Sequence, residues 1–271
     1  MNSEIRVSLI GFGAMGRALA GLLQRQRGVR IVAVAKRKPL STQSLELLQA
    51  CTLIVHSPQE LAAIDADLVV ECAGHGALRE YAVEVLRRGR DLLLASVGAL
   101  ADRKLETSLR VEAQRSGAQI RIPSGALGGL DVLAAARVAG LEAVTYMGRK
   151  PLRAWKGTSA EAMVDLDDPA VGFRPFFEGT AREAAVQFPQ NANVVAAVSL
   201  AGMGFEATRV TLRADPAATG NEHTVEAQGA FGQFRIFVRG NSLPDNPKTS
   251  LLAPASLARS VIDLHETVAL A

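Results

Sequence analysis

Val7-Ser8-Leu9-Ile10-Gly11-Phe12-Gly13-Ala14-Met15-Gly16 runs from an apolar strand through three glycines into a stretch with Leu19, Leu22 and Leu23 on one helical face. A glycine triplet alone specifies little, but between a strand and an amphipathic helix it describes a βα unit. Gly11 permits the tight turn, Gly13 lets a pyrophosphate reach the backbone, and Gly16 lets the helix close on the strand. Phe12, Ala14 and Met15 supply the intervening backbone of the cradle. The free N–H groups and the dipole of the helix N-terminus then favour phosphate charge. The competing account is a glycine-rich turn that binds nothing; the flanking strand and helix weigh against it.

Outward from this unit the first half alternates strand and helix. Strands are expected near 5–10, 30–35, 52–55, 67–73, 91–96 and 119–122, with helices between them. Ser57-Pro58-Gln59-Glu60 has the order of a capping box, with serine at the cap, proline first in the helix and glutamate three residues on. Gly28 and Gly89 are placed to close the helices before them. The fold class that follows is α/β, an N-terminal Rossmann-type, doubly wound parallel sheet.

The pattern changes near Pro123. Residues 128–140 form a small-residue helical stretch and 141–148 read as strand. A glycine-, proline- and aspartate-rich stretch occupies 157–179. Residues 180–187 and 191–203 are helical in pattern, separated by Pro189. Residues 208–213, 223–228 and 231–238 alternate with period two, as half-buried antiparallel strands do. Asn246-Pro247-Lys248-Thr249-Ser250 reads as a loop leading into a final helix that ends near Glu266. The expected division is a dinucleotide-binding domain over 1–123, completed by 243–271. A second α+β domain over 124–242, with an antiparallel or mixed sheet, is expected to carry substrate binding and catalysis.

Composition excludes several classes. The 271 residues are 48% hydrophobic and 21% charged with a formal charge of +3, an ordinary globular balance. No apolar run reaches the roughly 18 residues of a membrane span, and no signal peptide is evident, so a cytoplasmic protein is expected. Basic residues are dispersed and aromatics are only 4%, which gives no nucleic-acid groove. Cys51 and Cys72 suit buried thiols in a reducing compartment rather than a disulfide framework. The histidines and cysteines are too scattered for a metal site, and no Gly-x-Ser-x-Gly elbow is present.

A dinucleotide fold usually ends its second strand with a carboxylate for the adenosine ribose. Here Val32-Ala33-Val34-Ala35 runs into Lys36-Arg37-Lys38-Pro39, cations where a 2′-phosphate would lie. That points to NADP as an accepted cofactor beside NAD, against the plainer account of a solvated basic loop. The cofactor supplies hydride chemistry, so the protein must position substrate and manage protons. His223, at the start of a strand, has a side chain suited to acid–base work, although position alone favours a structural or merely exposed histidine. His75 competes, because Ala73-Gly74-His75-Gly76 follows a sheet strand. Ser96, Val97 and Gly98 follow another strand, and with Ala73 they are candidates for the nicotinamide pocket. Ser124 and Ala126 lie where the chain crosses between domains. Asn193 is either a ligand contact or a helix cap. Lys248, Thr249 and Ser250 combine a cation and two hydroxyls, a candidate carboxylate site. Each has an equally ready explanation as turn or cap chemistry.

Taken together, these segments resemble the L-aspartate dehydrogenase family. The resemblance rests on the glycine motif, Glu71-Cys72-Ala73-Gly74-His75, Ser96-Val97-Gly98-Ala99-Leu100, Pro123-Ser124-Gly125-Ala126 and Gly129-Leu130-Asp131. It continues through Ala154-Trp155-Lys156-Gly157-Thr158, Asn191-Ala192-Asn193-Val194, the His223 strand with Gly229-Ala230-Phe231-Gly232, and Asn246-Pro247-Lys248-Thr249-Ser250. It implies NAD(P)-dependent oxidation of L-aspartate to iminoaspartate, which yields oxaloacetate and ammonium or enters NAD biosynthesis through quinolinate. It also implies His223 as the active-site histidine, Ala126 and Asn193 as cofactor contacts, and a homodimer. Two alternatives stay open: another two-domain reductase, of the dihydrodipicolinate reductase or homoserine dehydrogenase kind, and a non-catalytic nucleotide sensor.

Overall fold

The computed structural model describes residues 4–168, 175–244 and 246–268, excepting the side chains of Gln190, Pro247 and Lys248. The chain divides into two compact units, Met1–Pro123 with Ala253–Ala271, and Ser124–Leu252. Residues 243–252, assigned above to the nucleotide domain, cluster instead with the second unit.

The first unit runs β1 (Ile5–Ile10), α1 (Ala14–Leu23), β2 (Val29–Ala35), α2 (Thr42–Leu45), β3 (Leu53–Val55), α3 (Pro58–Ala63), β4 (Leu68–Glu71), α4 (His75–Arg87), β5 (Asp91–Leu94), α5 (Arg103–Ser116) and β6 (Ile120–Arg121). Its six strands are all parallel, in the order β3-β2-β1-β4-β5-β6. The order reverses direction beside β1, which is where a doubly wound sheet opens a crevice for a ligand. Strand β4 is buried at every residue, the continuous apolar reading expected of a strand covered on both faces. Val7, Leu9, Leu19, Leu23, Ile31, Leu68 and Val70 form the core.

Local chemistry explains the element ends, with two departures from the sequence reading. The hydroxyl of Ser57 accepts from the Glu60 amide and Pro58 opens α3, but the Glu60 carboxylate accepts from the backbone of His56 at 2.7 Å. The box therefore closes one residue early, on the residue before the cap. Gly89 has φ +72° and follows the C-cap of α4. Gly28 (φ +78°) lies beyond the C-cap of α1 at Gln24 and instead turns the chain into β2, its carbonyl accepting from the Ile5 amide.

The second unit holds α6 (Leu130–Ala139), β7 (Leu141–Lys150), β8 (Phe177–Thr180), α7 (Ala181–Gln187), α8 (Ala192–Ala201), α9 (Gly204–Ala207), β9 (Arg209–Ala214), β10 (Asn221–Gly229), β11 (Gly232–Gly240), β12 (Ser242–Leu243) and β13 (Asn246–Ser250). The larger sheet has the order β11-β10-β7-β9-β8. It is mixed: β9 runs parallel to β7, whereas β10 pairs antiparallel with both β7 and β11. Period-two alternation reports one covered face and is blind to strand direction, which is why β9 was grouped with antiparallel strands. Of the stretch 157–179, residues 169–174 lie outside the described residues.

The segment read as a loop at 246–250 is β13, paired with β12. The chain then returns to the first unit as α10 (Leu252–Ile262), shorter than the sequence suggested. Leu257, Ala258 and Val261 of α10 join the core beneath the parallel sheet. No helix among the described residues is long and apolar enough to cross a membrane.

Candidate active site

In the first unit, the glycine motif forms the turn between β1 and α1. Gly11 has φ +93°, and a Cβ there would lie 2.5 Å from the Cβ of Ala73. A Cβ on Gly16 would lie 2.6 Å from the Gly11 carbonyl oxygen, so both positions need glycine for close approach. Above Gly13 an added Cβ would meet nothing within 4 Å. Gly13 is also the N-cap of α1 and offers no side chain to the helix amides. A helix start with free amides and open space over it fits a pyrophosphate. Phe12 is buried, while Ala14 and Met15 are half-buried. The thiol of Cys72 donates to the Gly11 carbonyl at 3.2 Å, and burial pushes its pKa up, so it acts as packing beneath the turn.

Glu71 is a group the sequence reading quoted without a role. It is fully buried at the end of β4. Its carboxylate accepts from the amides of Ala73 (2.8 Å), Gly74 (2.7 Å) and Ser96 (2.9 Å), and from the Ser96 hydroxyl (3.0 Å). One charge thus ties the loop after β4 to the loop after β5. Ser96 spends its hydroxyl and amide on Glu71, and Val97 and Gly98 are buried, so these residues shape the loop rather than present a free hydroxyl. A carboxylate ending a buried strand was the only available signal.

After β2, Lys36 is half-buried and Arg37 and Lys38 are exposed. The Lys36 amide donates to Val55, and the Lys36 carbonyl accepts from His56 Nδ1 at 2.7 Å. No carboxylate stands between Ala35 and Pro39 to meet a ribose or repel a phosphate. His75 is the first residue of α4. His265 lies against Gly28, where an added Cβ would meet its Nε2 at 2.4 Å.

In the second unit, alternation along β7 puts Val144, Tyr146, Gly148 and Lys150 on one buried face. In the register of β10, His223 stands opposite Gly148 and Val225 opposite Tyr146. His223 is therefore a diagonal neighbour of both Tyr146 and Lys150. Its Nδ1 lies 2.7 Å from the Tyr146 hydroxyl, with ring centroids 6.0 Å apart. With the phenol donating to Nδ1 the imidazole proton resides on Nε2, and with Nδ1–H donating to the phenol oxygen Nε2 carries the free lone pair. Burial, aided by the Lys150 charge, lowers the His223 pKa to about 3, and the ring is neutral at physiological pH. Burial also raises that of Tyr146, which stays protonated.

On the opposite face, Arg149 binds Asp215 and Glu222, and Arg239 binds Glu222 at 2.9 Å. This network fixes the end of the sheet that carries His223. Lys150 was missed by the sequence reading, because a lysine ending a strand carries no pattern of its own.

The other candidates are dispersed. Asn191, not Asn193, occupies the N-cap of α8, and it gives its side chain to Lys150 rather than to the helix. Asn193 is exposed in the first turn. Ser124 and Ala126 are half-buried in a turn closed by the Leu127 amide on the Ser124 carbonyl. Thr249 Oγ1 accepts from Asn246, and Ser250 Oγ accepts from the Leu252 amide at 3.3 Å, so both hydroxyls serve the entry to α10. The Lys248 side chain lies outside the described residues. Two grooves of about 520 Å³ open in this unit, one beside Thr145, Glu226 and Arg235 and one beside Pro151, Asn221 and Gly240. Neither is lined by His223 or Lys150.

The chain matches known proteins along most of its length. Residues 11–123 match the family described as homoserine dehydrogenase, NAD binding domain, and residues 131–264 match that described as aspartate dehydrogenase, C-terminal. With the cradle at Gly11–Gly16, these matches define the chain as an NAD(P)-dependent dehydrogenase acting on an amino-acid CH–NH2 donor. An L-aspartate dehydrogenase of Ralstonia pickettii is 46% identical over 261 residues, covering 95% of this chain and 96% of that one. One of Pseudomonas aeruginosa is 42% identical over 261 residues, with the same coverage. The solved structure of aspartate dehydrogenase from Thermotoga maritima superposes with a TM-score of 0.77 at 27% identity, covering 98% of this chain and 99% of its own. The chain belongs to the L-aspartate dehydrogenase family.

Proposed function

We propose that the protein oxidises L-aspartate to iminoaspartate, which hydrolyses to oxaloacetate and ammonium or is consumed in NAD biosynthesis through quinolinate. The observation that carries this reading is the buried, tyrosine-bound imidazole of His223, within the segment that matches the aspartate dehydrogenase family. A bound nicotinamide supplies the hydride acceptor for the α-hydrogen of a neutral α-amine. The chain's own residues do the rest. Glu71 sets the two loops that line the nicotinamide side of the crevice, with Ala73 at their surface and Ser96, Val97 and Gly98 shaping them from beneath. Ala126 and Asn193 contact the cofactor, and Ser124 contributes to the substrate side.

Tyr146 holds Nδ1, which directs Nε2 to the reacting end of the substrate. In the amination direction Nε2–H donates to the carbonyl oxygen as nitrogen adds. In the oxidative direction the ring is in its other neutral tautomer, Nδ1–H donating to the Tyr146 oxygen, and the lone pair of Nε2 accepts the proton of the water that attacks the imine carbon. Such a group contributes about 10²–10⁴-fold.

Lys36 and Arg37 receive the 2′-phosphate of NADP, so NADP is accepted as well as NAD. The protein works as a cytoplasmic homodimer. The deciding experiment follows reduced nicotinamide absorbance with a panel of amino acids and both cofactors, and in reverse with oxaloacetate and ammonium. Turnover confined to L-aspartate and oxaloacetate is expected. Tight cofactor binding with no turnover of any amino acid would favour the nucleotide sensor. Lys36→Ala with Arg37→Ala is expected to lower kcat/KM for NADP about tenfold or more while leaving NAD within about twofold; an unchanged ratio removes these cations from the 2′-phosphate site.

A further inference from the structure

Lysine is among the residues least often buried, and when buried it usually sits beside a carboxylate. Lys150 is 8% exposed. Its ammonium meets Asn191 Oδ1 and lies 5.3 Å from the centroid of the Trp155 ring. Among the described residues no aspartate or glutamate pairs with it. Desolvation brings its pKa down to about 8, which still leaves it charged at neutral pH. The protein therefore maintains a nearly buried cation with a neutral amide, a π face and a neutral imidazole around it, and no counter-ion among the described residues.

The missing charge has a definite position in the sheet. Lys150 and His223 are diagonal neighbours on one face, their backbones roughly 7–8 Å apart, and the Lys150 charge acts on the imidazole. Thr249 Oγ1 and Ser250 Oγ, the other candidates for holding carboxylates, accept from Asn246 and from the Leu252 amide and bring no charge to balance a carboxylate.

We propose that Lys150 anchors a carboxylate of the substrate beside the imidazole of His223, with Asn191 fixing the direction of its ammonium. The proposal deepens the function given above and rests on it for the identity of the substrate. A carboxylate bound here supplies the counter-ion that is absent among the described residues, and it places the carbon next to that carboxylate within reach of Nε2. An uncharged substrate of the same shape gains nothing from Lys150.

Trp155 is the only tryptophan in the chain and lies against the Lys150 ammonium, so its fluorescence reports the anchor directly. Succinate, a dicarboxylate with no amine to oxidise, is titrated into the full-length protein with and without NAD. Wild type is expected to show a saturable change in Trp155 emission. Lys150→Met is expected to weaken succinate about 10- to 100-fold, the loss of a charge-assisted bond, and to raise KM for L-aspartate with KM for the cofactor unchanged. Lys150→Arg recovers part of the affinity.

Melting temperature separates this from a purely structural lysine. Removing an unpaired buried cation leaves Tm unchanged or higher, whereas a structural role predicts a fall. Should Lys150→Met fail to fold, Lys150→Gln carries the same binding expectation. Succinate binding of wild-type strength in the folded variant, or an unchanged KM for L-aspartate, overturns the anchor. Lys150-dependent succinate binding in a protein that leaves L-aspartate unoxidised keeps the anchor and overturns the proposed reaction.

Discussion

His223 shows how much of a side chain's chemistry its surroundings set. In water an imidazole titrates near pH 6.5; on β10, buried, with Lys150 on one diagonal, its pKa falls to about 3. The unfolded chain then binds a proton below about pH 6.5 that the folded chain refuses until about pH 3. The stabilising contribution is thus complete above pH 6.5 and is lost as pH falls toward 3, at up to about 1.4 kcal/mol per pH unit. Lys150 and neutral Tyr146 face the ring on its own side, and the charges of Arg149, Asp215, Glu222 and Arg239 lie on the far face of the sheet. Urea denaturation at pH 6.5 and pH 5 should therefore show wild type weakening, with a shallower dependence in His223→Asn. The same variant is expected to lose about 10²–10⁴-fold in kcat while cofactor affinity stays within about twofold. Near-normal turnover removes His223 from proton transfer.

Single side chains also organise whole elements, and Glu71 does so most directly. Four donors from two loops converge on one buried carboxylate. The ends of β4 and β5 consequently present their loops as one surface. Glu71→Ala leaves those donors buried and unpaired, a cost of about 3–5 kcal/mol. Glu71→Gln keeps an acceptor but turns an amide group toward the remaining N–H donors. We expect Glu71→Gln to fold, to bind NAD about tenfold more weakly by calorimetry, and to leave succinate binding in the second unit near wild type. An unchanged affinity for NAD shows that the loops hold their shape without the charge. The turn at Gly11 illustrates the same dependence between elements, since its close approach to Ala73 makes the β1–α1 and β4–α4 turns a single construction.

Across the molecule, the chain leaves the first unit at Pro123 and returns to it through α10. The return has an energetic consequence. Leu257 and Val261 are 1% and 0% exposed and pack with Val7, Leu9 and Leu23. Leu257→Ala is expected to destabilise the parallel-sheet unit by about 2–5 kcal/mol in urea, and saturating NAD should offset part of the loss. A loss below about 1 kcal/mol would show that α10 contributes little to that core.

Much of this was readable in advance because the signals are local. The glycine turn, the six strands of the first sheet and the helix starts at Ser57 and Thr180 each depend on residues a few positions apart. The errors fell where local pattern is silent: the direction of β9, the pairing of β12 with β13, and the partner of the Glu60 carboxylate. The amino-acid order sufficed to give a dinucleotide cradle and a family, since spacing alone positions glycines and strands that follow one another. The chemistry around His223 required folding. Tyr146 lies 77 positions away and Lys150 belongs to the same distant strand, and strand register, which no nearby residue encodes, brings them to one face.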